Sequence, residues 1–275
     1  MHEELALATT PAAGALAVVL GLLWGSFANV CIYRWPADKS VVRPDSHCSA
    51  CATPIRWYDN IPILSYLWLR GRCRACGKQF SARYLVVEAL TGALFGVAWW
   101  FTLGDGGVLA GSLEVRGLRF VIDATFLLCM VVIAFIDLDT KLILDKITLP
   151  AIPLFYAASL ALPEHHWWDG LIGAAVGYAV PWSIDRVYML VRGQEGIGMG
   201  DFKLLALVGA LMGWKGVIAS LFGGSIVGTA ITVPMLLARR KQEVLKADVP
   251  FGPFLAIGAV FYLFAEPWLV TSFRL

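Results

Sequence analysis

The chain alternates long apolar runs with short polar or charged segments along its 275 residues. Several runs approach the roughly 20 residues that an α-helix needs to cross the hydrocarbon core of a bilayer. Hydrophobic residues make up 59% of the sequence and charged residues 15%, which excludes an ordinary soluble domain. The pattern predicts an all-α polytopic membrane protein with about eight transmembrane helices. The predicted spans are 12–33, 84–103, 119–137, 147–162, 168–190, 202–214, 217–238 and 251–272.

The segment 202–214 is short for a membrane span. It either crosses the bilayer and is followed by a second crossing at 217–238, or it re-enters on the side from which it came. We favour two crossings, which gives the total of eight. Residues 1–11 carry two glutamates and no basic residue, so they lack the positive region of a secretory signal peptide. The first span is therefore expected to be retained.

The basic residues are unevenly distributed between the predicted loops. Of the 22 Lys and Arg residues, 18 lie in or at the rims of the loops 34–83, 138–146, 191–201 and 239–250. The other four are Arg116, Arg119, Lys215 and Arg274. The positive-inside rule then predicts that the four basic loops are cytosolic and that both termini are outside. The short segments with Lys141 and Lys146, and with Arg239, Arg240 and Lys241, agree with this orientation.

Carboxylates stand at the ends of several apolar runs. The run 120–136 is followed by Asp137, Asp139 and Asp145, and Gly198-Met-Gly-Asp-Phe-Lys places Asp201 at the head of another run. Acidic side chains at membrane depth are costly and usually mark a function. The glycines before Asp201 let the backbone approach another group closely. Two of these carboxylates, if folding brings them together, would form an acid–base pair; the alternative is a transporter's proton relay that also includes Glu88.

The loop 34–83 contains two C-x-x-C pairs, Cys48/Cys51 and Cys73/Cys76, separated by the 21 residues 52–72. Paired thiols at this spacing are typical of a four-thiolate zinc site, although the gap is one residue longer than usual. A cytosolic loop argues against disulfides. A dithiol redox pair is the alternative, and the presence of two pairs favours a metal.

The stretch between the pairs, 57–68, is rich in aromatic and apolar residues but too short to span a membrane. Two interpretations remain open: it forms the core of the cysteine loop, or it lies on the membrane surface. The sequence does not distinguish between them.

Polar residues also lie in the first two predicted spans. Gly25 and Ser26 favour close helix packing, whereas the amide of Asn29 requires a hydrogen-bond partner in the membrane. Glu88 lies within the second span. It either forms a structural ion pair with Arg83 or belongs to a site.

Taken in order, these motifs resemble the bifunctional type IV prepilin peptidases, which act as leader peptidase and N-methyltransferase in pilus and type II secretion systems. The resemblance covers essentially the whole chain. It rests on Gly25-Ser-Phe-x-Asn-Val, both cysteine pairs, Asp59-Asn-Ile-Pro, Arg83-Tyr-x-x-Val-Glu-x-x-Thr-Gly, Ile136-Asp, Gly198-x-Gly-Asp-x-Lys and Pro250-Phe-Gly-Pro. The chain departs from the family in having Leu144 before Asp145 and Leu85 after Tyr84, where the family usually has proline.

The resemblance implies that Asp137 and Asp201 are the catalytic aspartates of a Gly-x-Gly-Asp intramembrane protease, with Cys48, Cys51, Cys73 and Cys76 as zinc ligands. The implied substrates are prepilins or pseudopilins with a basic leader, cut after Gly at the cytosolic edge of a bacterial inner membrane. The new N-terminus would then be methylated from S-adenosylmethionine. Candidates for the cofactor site are Asn29, Arg34 and Glu88.

The implied organisation is a first span over 1–33, a cytosolic zinc-binding loop associated with methyl transfer over 34–83, and a membrane peptidase core over 84–275. Lipid and the pilin substrate are the implied partners, with no nucleic acid. A peptidase without methyl transfer is the nearest alternative. A proton-relay transporter and a non-enzymatic assembly factor explain the Gly-x-Gly-Asp segment less well.

Overall fold

The computed structural model describes residues 8–104, 112–193, 196, 198–237 and 250–273. Arg239, Arg240 and Lys241, which support the predicted orientation, lie outside these residues. The described part of the chain is helical, and its only extended pairings are two isolated β-bridges, His47–Pro54 and Arg72–Gln79. Its α-helices are α1 (Pro11–Arg34), α2 (Leu64–Trp68), α3 (Arg83–Thr102), α4 (Leu113–Thr140), α5 (Asp145–Ser159), α6 (Trp167–Arg192), α7 (Met199–Leu237) and α8 (Gly252–Phe273).

Four helical segments of the described chain are long and apolar enough to cross a membrane: Pro11–Ala37, Arg83–Thr102, Leu113–Thr140 and Met199–Met235. Gly252–Glu266 is a shorter apolar helix. The prediction of an all-α polytopic membrane protein is confirmed. The number of crossings is not fixed by these segments, so the total of about eight stays a prediction.

The chain forms two compact units, Met1–Val132 and Ile133–Leu275. The three-part division into 1–33, 34–83 and 84–275 stays a prediction. In the first unit, α1 packs antiparallel to α3 through small residues. A Cβ on Gly25 would lie 2.8 Å from the Cα of Glu88, and a Cβ on Gly14 would lie 2.7 Å from the ring of Trp99. Such close backbone approach is the usual way in which membrane helices associate.

The first unit also contains a buried ion pair within α4. The Arg119 guanidinium lies 3.0 Å from the Asp123 carboxylate, one helical turn away, and both side chains are 6% exposed. Charges in an apolar helix are tolerated when each is compensated by the other. The pair therefore leaves α4 able to cross a membrane.

In the second unit, α7 is interrupted at Gly213, whose backbone angles of φ 68° and ψ −173° are not helical. The residues before the break pack antiparallel to α6, and those after it pack antiparallel to α8, as the glycine contacts below show. The break at Gly213 therefore divides α7 into two segments that pack on different neighbours. Only glycine adopts this conformation readily. The break agrees with the predicted division of this region near residue 214.

Glycines hold both segments of α7 against their neighbours. Gly173 of α6 faces Gly209 of α7 so closely that a Cβ on either one would overlap the carbonyl group of the other. In the second half, a Cβ on Gly224 would lie 2.8 Å from the carbonyl oxygen of Phe254, and a Cβ on Gly258 would lie 2.6 Å from that of Ser220. The Ser220 hydroxyl donates to the Leu255 carbonyl oxygen at 2.8 Å, which adds a hydrogen bond to the same interface.

We expect Gly173→Ala to destabilise the second unit by about 1–3 kcal/mol, because the new methyl group would force two helix backbones apart. Gly223→Ala is the matched control, since its Cβ would meet only the Cα of Gly258 at 3.4 Å. Thermal unfolding of the two purified variants in detergent measures the difference. Equal midpoints would contradict the proposed role of the Gly173–Gly209 contact.

Candidate active site and metal centre

Asp137 lies in the last turn of α4 and is almost completely buried, with 4% exposure. Its Oδ2 accepts a hydrogen bond from the backbone N–H of Gly252 at 3.0 Å. A Cβ on Gly252 would lie 2.7 Å from the same oxygen. The residue at 252 must therefore be glycine for the N–H to reach the carboxylate. The contact joins the end of α4 to the beginning of α8.

Asp201 lies in the first turn of α7. Its backbone N–H donates to the Gly198 carbonyl oxygen at 3.0 Å, and its Oδ2 would lie 3.2 Å from a Cβ on Gly198. Gly200, next to Asp201, and Gly252, which binds Asp137, both lie against Ile143, so the two aspartates belong to the same part of the second unit. The structure thus brings together the two aspartates that the sequence singles out.

Ile143 fills the space beside both aspartates. Its Cβ would be 2.7 Å from a Cβ on Gly200, the neighbour of Asp201, and its Cδ1 would be 3.2 Å from a Cβ on Gly252, the partner of Asp137. The segment between α4 and α5 therefore packs against the starts of both α7 and α8. A side chain at either glycine would displace it.

An ion pair connects the starts of α5 and α7. The Lys203 ammonium lies 2.6 Å from the Asp145 carboxylate, and the side chains are 16% and 57% exposed. Asp145 follows Ile143 by two residues, so this contact fixes the segment that carries Ile143. Asp139 is exposed on the turn after Asp137.

The four cysteines of the loop form a compact cluster in which all the sulfur atoms lie within 4.8 Å of one another. The Sγ atoms of Cys48 and Cys76 are 3.8 Å apart, and those of Cys51 and Cys73 are 4.0 Å apart. A tetrahedral zinc ion with Zn–S bonds of about 2.3 Å requires separations of about 3.8 Å. The donor set and its geometry therefore fit a structural zinc ion with no open coordination position.

Each cysteine pair sits on a turn of the same kind. Cys48 N–H donates to Thr53 O at 3.0 Å and Ala52 N–H donates to Cys48 O at 2.9 Å; in the second pair the same two bonds join Cys73 to Lys78 and Gly77. Ala52 and Gly77 both have positive φ, at 55° and 71°. The backbone N–H groups inside each turn thereby face the thiols.

Hydrogen bonds favour the thiolate form of two of these cysteines, whereas burial and the neighbouring thiols raise the pKa of Cys76 to about 11. The Thr53 hydroxyl lies 3.2 Å from Cys51 Sγ, and its hydrogen bond lowers the pKa of Cys51 to about 6. Backbone N–H groups of the second turn, that of Cys76 first, lower the pKa of Cys73. Thiolates are the form that binds zinc. The hydrogen bonds to Cys51 and Cys73 therefore favour the form of these side chains that binds a metal.

Asp59 and Arg74 link the second cysteine pair to the segment between the pairs. The guanidinium makes a bidentate contact with the carboxylate, with the shortest distance 2.6 Å. Arg74 thereby holds the pKa of Asp59 below its usual range. Arg74, next to a ligand cysteine, therefore has a defined carboxylate partner in Asp59.

Two family models match the chain. The model of the bacterial peptidase A24 N-terminal domain matches residues 19–102, and that of the type IV leader peptidase family matches residues 124–233. The chain belongs to the type IV leader peptidase family. It is similar to proteins named prepilin leader peptidase/N-methyltransferase from Aeromonas hydrophila (38% identity, covering 94% of each chain) and Neisseria gonorrhoeae (37% identity, covering 90% of this chain and 89% of the relative). No solved structure matches the chain significantly.

In this leader peptidase family member, the three candidates for the cofactor site contact backbone groups of their own unit. The Asn29 amide donates to Tyr84 O at 3.1 Å, and the Arg34 guanidinium donates to Ser40 O at 3.0 Å and Pro44 O at 2.7 Å. Glu88 Oε2 accepts from the Ile63 N–H at 2.8 Å. The contacts of Arg34 and Glu88 hold the loop onto α1 and α3, and that of Asn29 joins α1 to α3.

Sequence reasoning missed two residues of the leader peptidase site, Ile143 and Gly252. Ile143 gives no signal, because an isoleucine between two apolar helices is ordinary. Gly252 lies in Pro250-Phe-Gly-Pro, which carries part of the resemblance, but no role was predicted for the glycine. The glycine itself was the available signal, since it marks a close approach of backbone to another group.

We expect the purified protein to carry about one zinc ion per chain, and Cys73→Ser to remove most of it, because one thiolate of four is lost. The loop should then become sensitive to protease, since metal binding and local folding are linked. Elemental analysis and limited proteolysis measure both effects. Cys129→Ser, which changes a cysteine of α4, is the control and should keep its zinc. Undiminished zinc in Cys73→Ser would contradict the assignment.

Proposed function

We propose that this protein removes the leader from type IV prepilins or pseudopilins with Asp137 and Asp201, and then methylates the new N-terminus. The observation that supports the peptidase part is that the end of α4 with Asp137 and the start of α7 with Asp201 both border Ile143, through Gly252 and Gly200. Family membership and the names of the relatives support both activities. Incubating the purified protein with a prepilin tests the proposal, because leader cleavage gives a product lighter by the mass of the leader.

The two aspartates act as one acid–base unit. Two carboxylates that face one scissile bond do not both ionise without repulsion, so in this proposal the pair retains one proton. The ionised carboxylate takes a proton from water, and the water oxygen attacks the scissile carbonyl carbon. The protonated carboxyl group donates a hydrogen bond to the carbonyl oxygen. Collapse of the tetrahedral intermediate breaks the C–N bond as the leaving nitrogen receives a proton.

Backbone and packing contacts keep the pair in place. The Gly252 N–H binds Oδ2 of Asp137 and so fixes the orientation of the carboxylate. The position of the second oxygen, Oδ1, is fixed with it. Ile143 sets the distance between the start of α7 and the start of α8, and Lys203 with Asp145 fixes Ile143 in turn. Groups held in this way lose little orientational entropy during the reaction.

The positive-inside rule supports an orientation with the cysteine loop and the aspartates at the cytosolic side of the bacterial inner membrane. A substrate with a basic leader before an apolar helix suits an acidic pair at that edge. S-adenosylmethionine supplies the methyl group to the new amine. Zinc held by Cys48, Cys51, Cys73 and Cys76 would stabilise the loop and take no part in the chemistry, since its coordination is complete.

Asp137→Asn and Asp201→Asn should each lower the rate of leader cleavage by about 10³-fold or more, because the two residues act as a unit. The product is measured by mass spectrometry of a prepilin substrate. Asp139→Asn is the matched control on the same turn and should retain most activity. An inactive Asp139→Asn together with an active Asp137→Asn would show that the pair is wrongly assigned.

Asp145→Asn should cause a smaller loss, about tenfold or less, because Lys203 then loses its charged partner near the surface. If Lys203 and Asp145 act only by positioning Ile143, exchanging the two charges in the double variant Asp145→Lys, Lys203→Asp should restore cleavage toward the wild-type rate. A double variant that is worse than both single variants would contradict a positioning role.

Glu88→Gln should keep leader cleavage and leave the product unmethylated, because the variant removes a negative charge that offsets the cofactor's sulfonium or accepts a proton from the amine. The glutamine still offers an oxygen to the Ile63 N–H. Glu88→Ala removes that acceptor as well and is the comparison variant. Mass spectrometry of a pre-cleaved pilin reports methylation without cleavage. Normal methylation by Glu88→Gln would refute the charge-based role.

A further inference from the structure

The short helix α2 presents an apolar face to its surroundings. Leu64, Leu67 and Trp68 are 65%, 60% and 83% exposed, and their spacing of three and four residues puts them on one side of the helix. Trp57, which precedes the helix, is 80% exposed. Exposed apolar clusters of this kind mark surfaces that contact a partner or a membrane.

The opposite side of α2 is fixed by internal contacts. The Ser65 hydroxyl accepts from the Ile61 N–H and donates to the Tyr58 carbonyl oxygen, both at 2.9 Å. The Tyr66 ring lies against Gly71, where an added Cβ would be 2.7 Å from its Cζ. No residue of α2 is buried. The apolar face is therefore not the core of the cysteine loop, which was one of the two interpretations left open by the sequence.

The beginning of α2 is tied to a membrane helix at a defined depth. The Ile63 N–H donates to Glu88 Oε2 of α3, and Ile63 has a φ of 61°, which is unfavourable for a β-branched residue. Glu88 lies five residues after the start of α3, or roughly 8 Å along its axis. Tyr84, one turn earlier, is 41% exposed, and Tyr33 at the adjoining end of α1 is 63% exposed. The apolar face of α2 thus continues an aromatic belt of the kind found at membrane interfaces.

Cations and a cleft accompany this face. Arg56, Arg70 and Arg72 are exposed on the same segment. Leu64, Trp68 and Arg74 are among the residues that line a cleft of about 370 Å³. Arginine side chains at this level favour lipid phosphates. The exposed arginines and the apolar face of α2 therefore both favour contact with a lipid bilayer.

We propose that residues 57–72 form a membrane-surface anchor. Leu64, Leu67 and Trp68 insert among the acyl chains just below the phospholipid headgroups, and the arginines contact the phosphates. An amphipathic helix in the plane of the interface is stabilised by burial of its apolar side chains and by attraction between its cations and anionic lipids. The anchor holds the cysteine cluster against the membrane surface. This inference does not depend on either catalytic activity.

The test uses the full-length protein in vesicles of equal parts phosphatidylcholine and phosphatidylglycerol. The difference in fluorescence between wild type and Trp68→Phe isolates Trp68 from the 11 tryptophans of the chain. Lipids brominated in the upper acyl chain should quench this difference signal, and aqueous iodide should not. Leu67→Asp should raise quenching by iodide by about threefold or more, because a charge opposes insertion of the face.

Val42→Asp is the matched control, since Val42 is an exposed apolar residue of the same loop at 76% exposure, well before α2 in sequence. It should leave both quenching constants unchanged. Zinc content and unfolding temperature confirm that each variant is folded. Quenching of Trp68 by iodide in vesicles without substrate would overturn the proposal. If Trp68 were protected from iodide only after a prepilin is added, the proposal would also be overturned. The apolar face of α2 would then be assigned to substrate binding.

Discussion

The hydrogen bond from the Gly252 N–H to Asp137 is the contact on which the second unit depends. It joins groups that are 115 positions apart in the chain. A carboxylate among apolar helices needs a donor, and a backbone N–H supplies one without bringing a second charge into the site. A lysine or arginine partner would neutralise the aspartate and remove it from acid–base chemistry. The backbone donor keeps it available.

The same constraint explains why glycines gather around the aspartates. Gly198, Gly200 and Gly252 each stand where a side chain would meet Asp201, Ile143 or Asp137. Close packing of backbones at these glycines keeps bulky side chains away from the two carboxylates. The charged Lys203–Asp145 pair lies farther out, where partial exposure makes an ion pair inexpensive.

The sequence predicts the helices and the two clusters because each depends on local pattern. Apolar runs define the helices, and the predicted division between 202–214 and 217–238 coincides with the break at Gly213. Thiol spacing predicts the cysteine cluster, since each pair occupies one turn. The partner of Glu88, the outward face of α2 and the position of Ile143 depend on contacts between distant segments. The spacing of apolar and polar residues along the chain does not depend on such contacts, so only the structure reveals them.

The two matching cysteine turns have a consequence for synthesis of the chain. Each turn closes through hydrogen bonds that span only six residues, Cys48 to Thr53 and Cys73 to Lys78. The last ligand, Cys76, precedes the start of α3 at Arg83. A nascent chain therefore contains every group needed to enclose a metal before the translocon receives α3. A loop closed by a metal at that stage would be a folded obstacle to translocation and would stay on the side of the membrane where it was made.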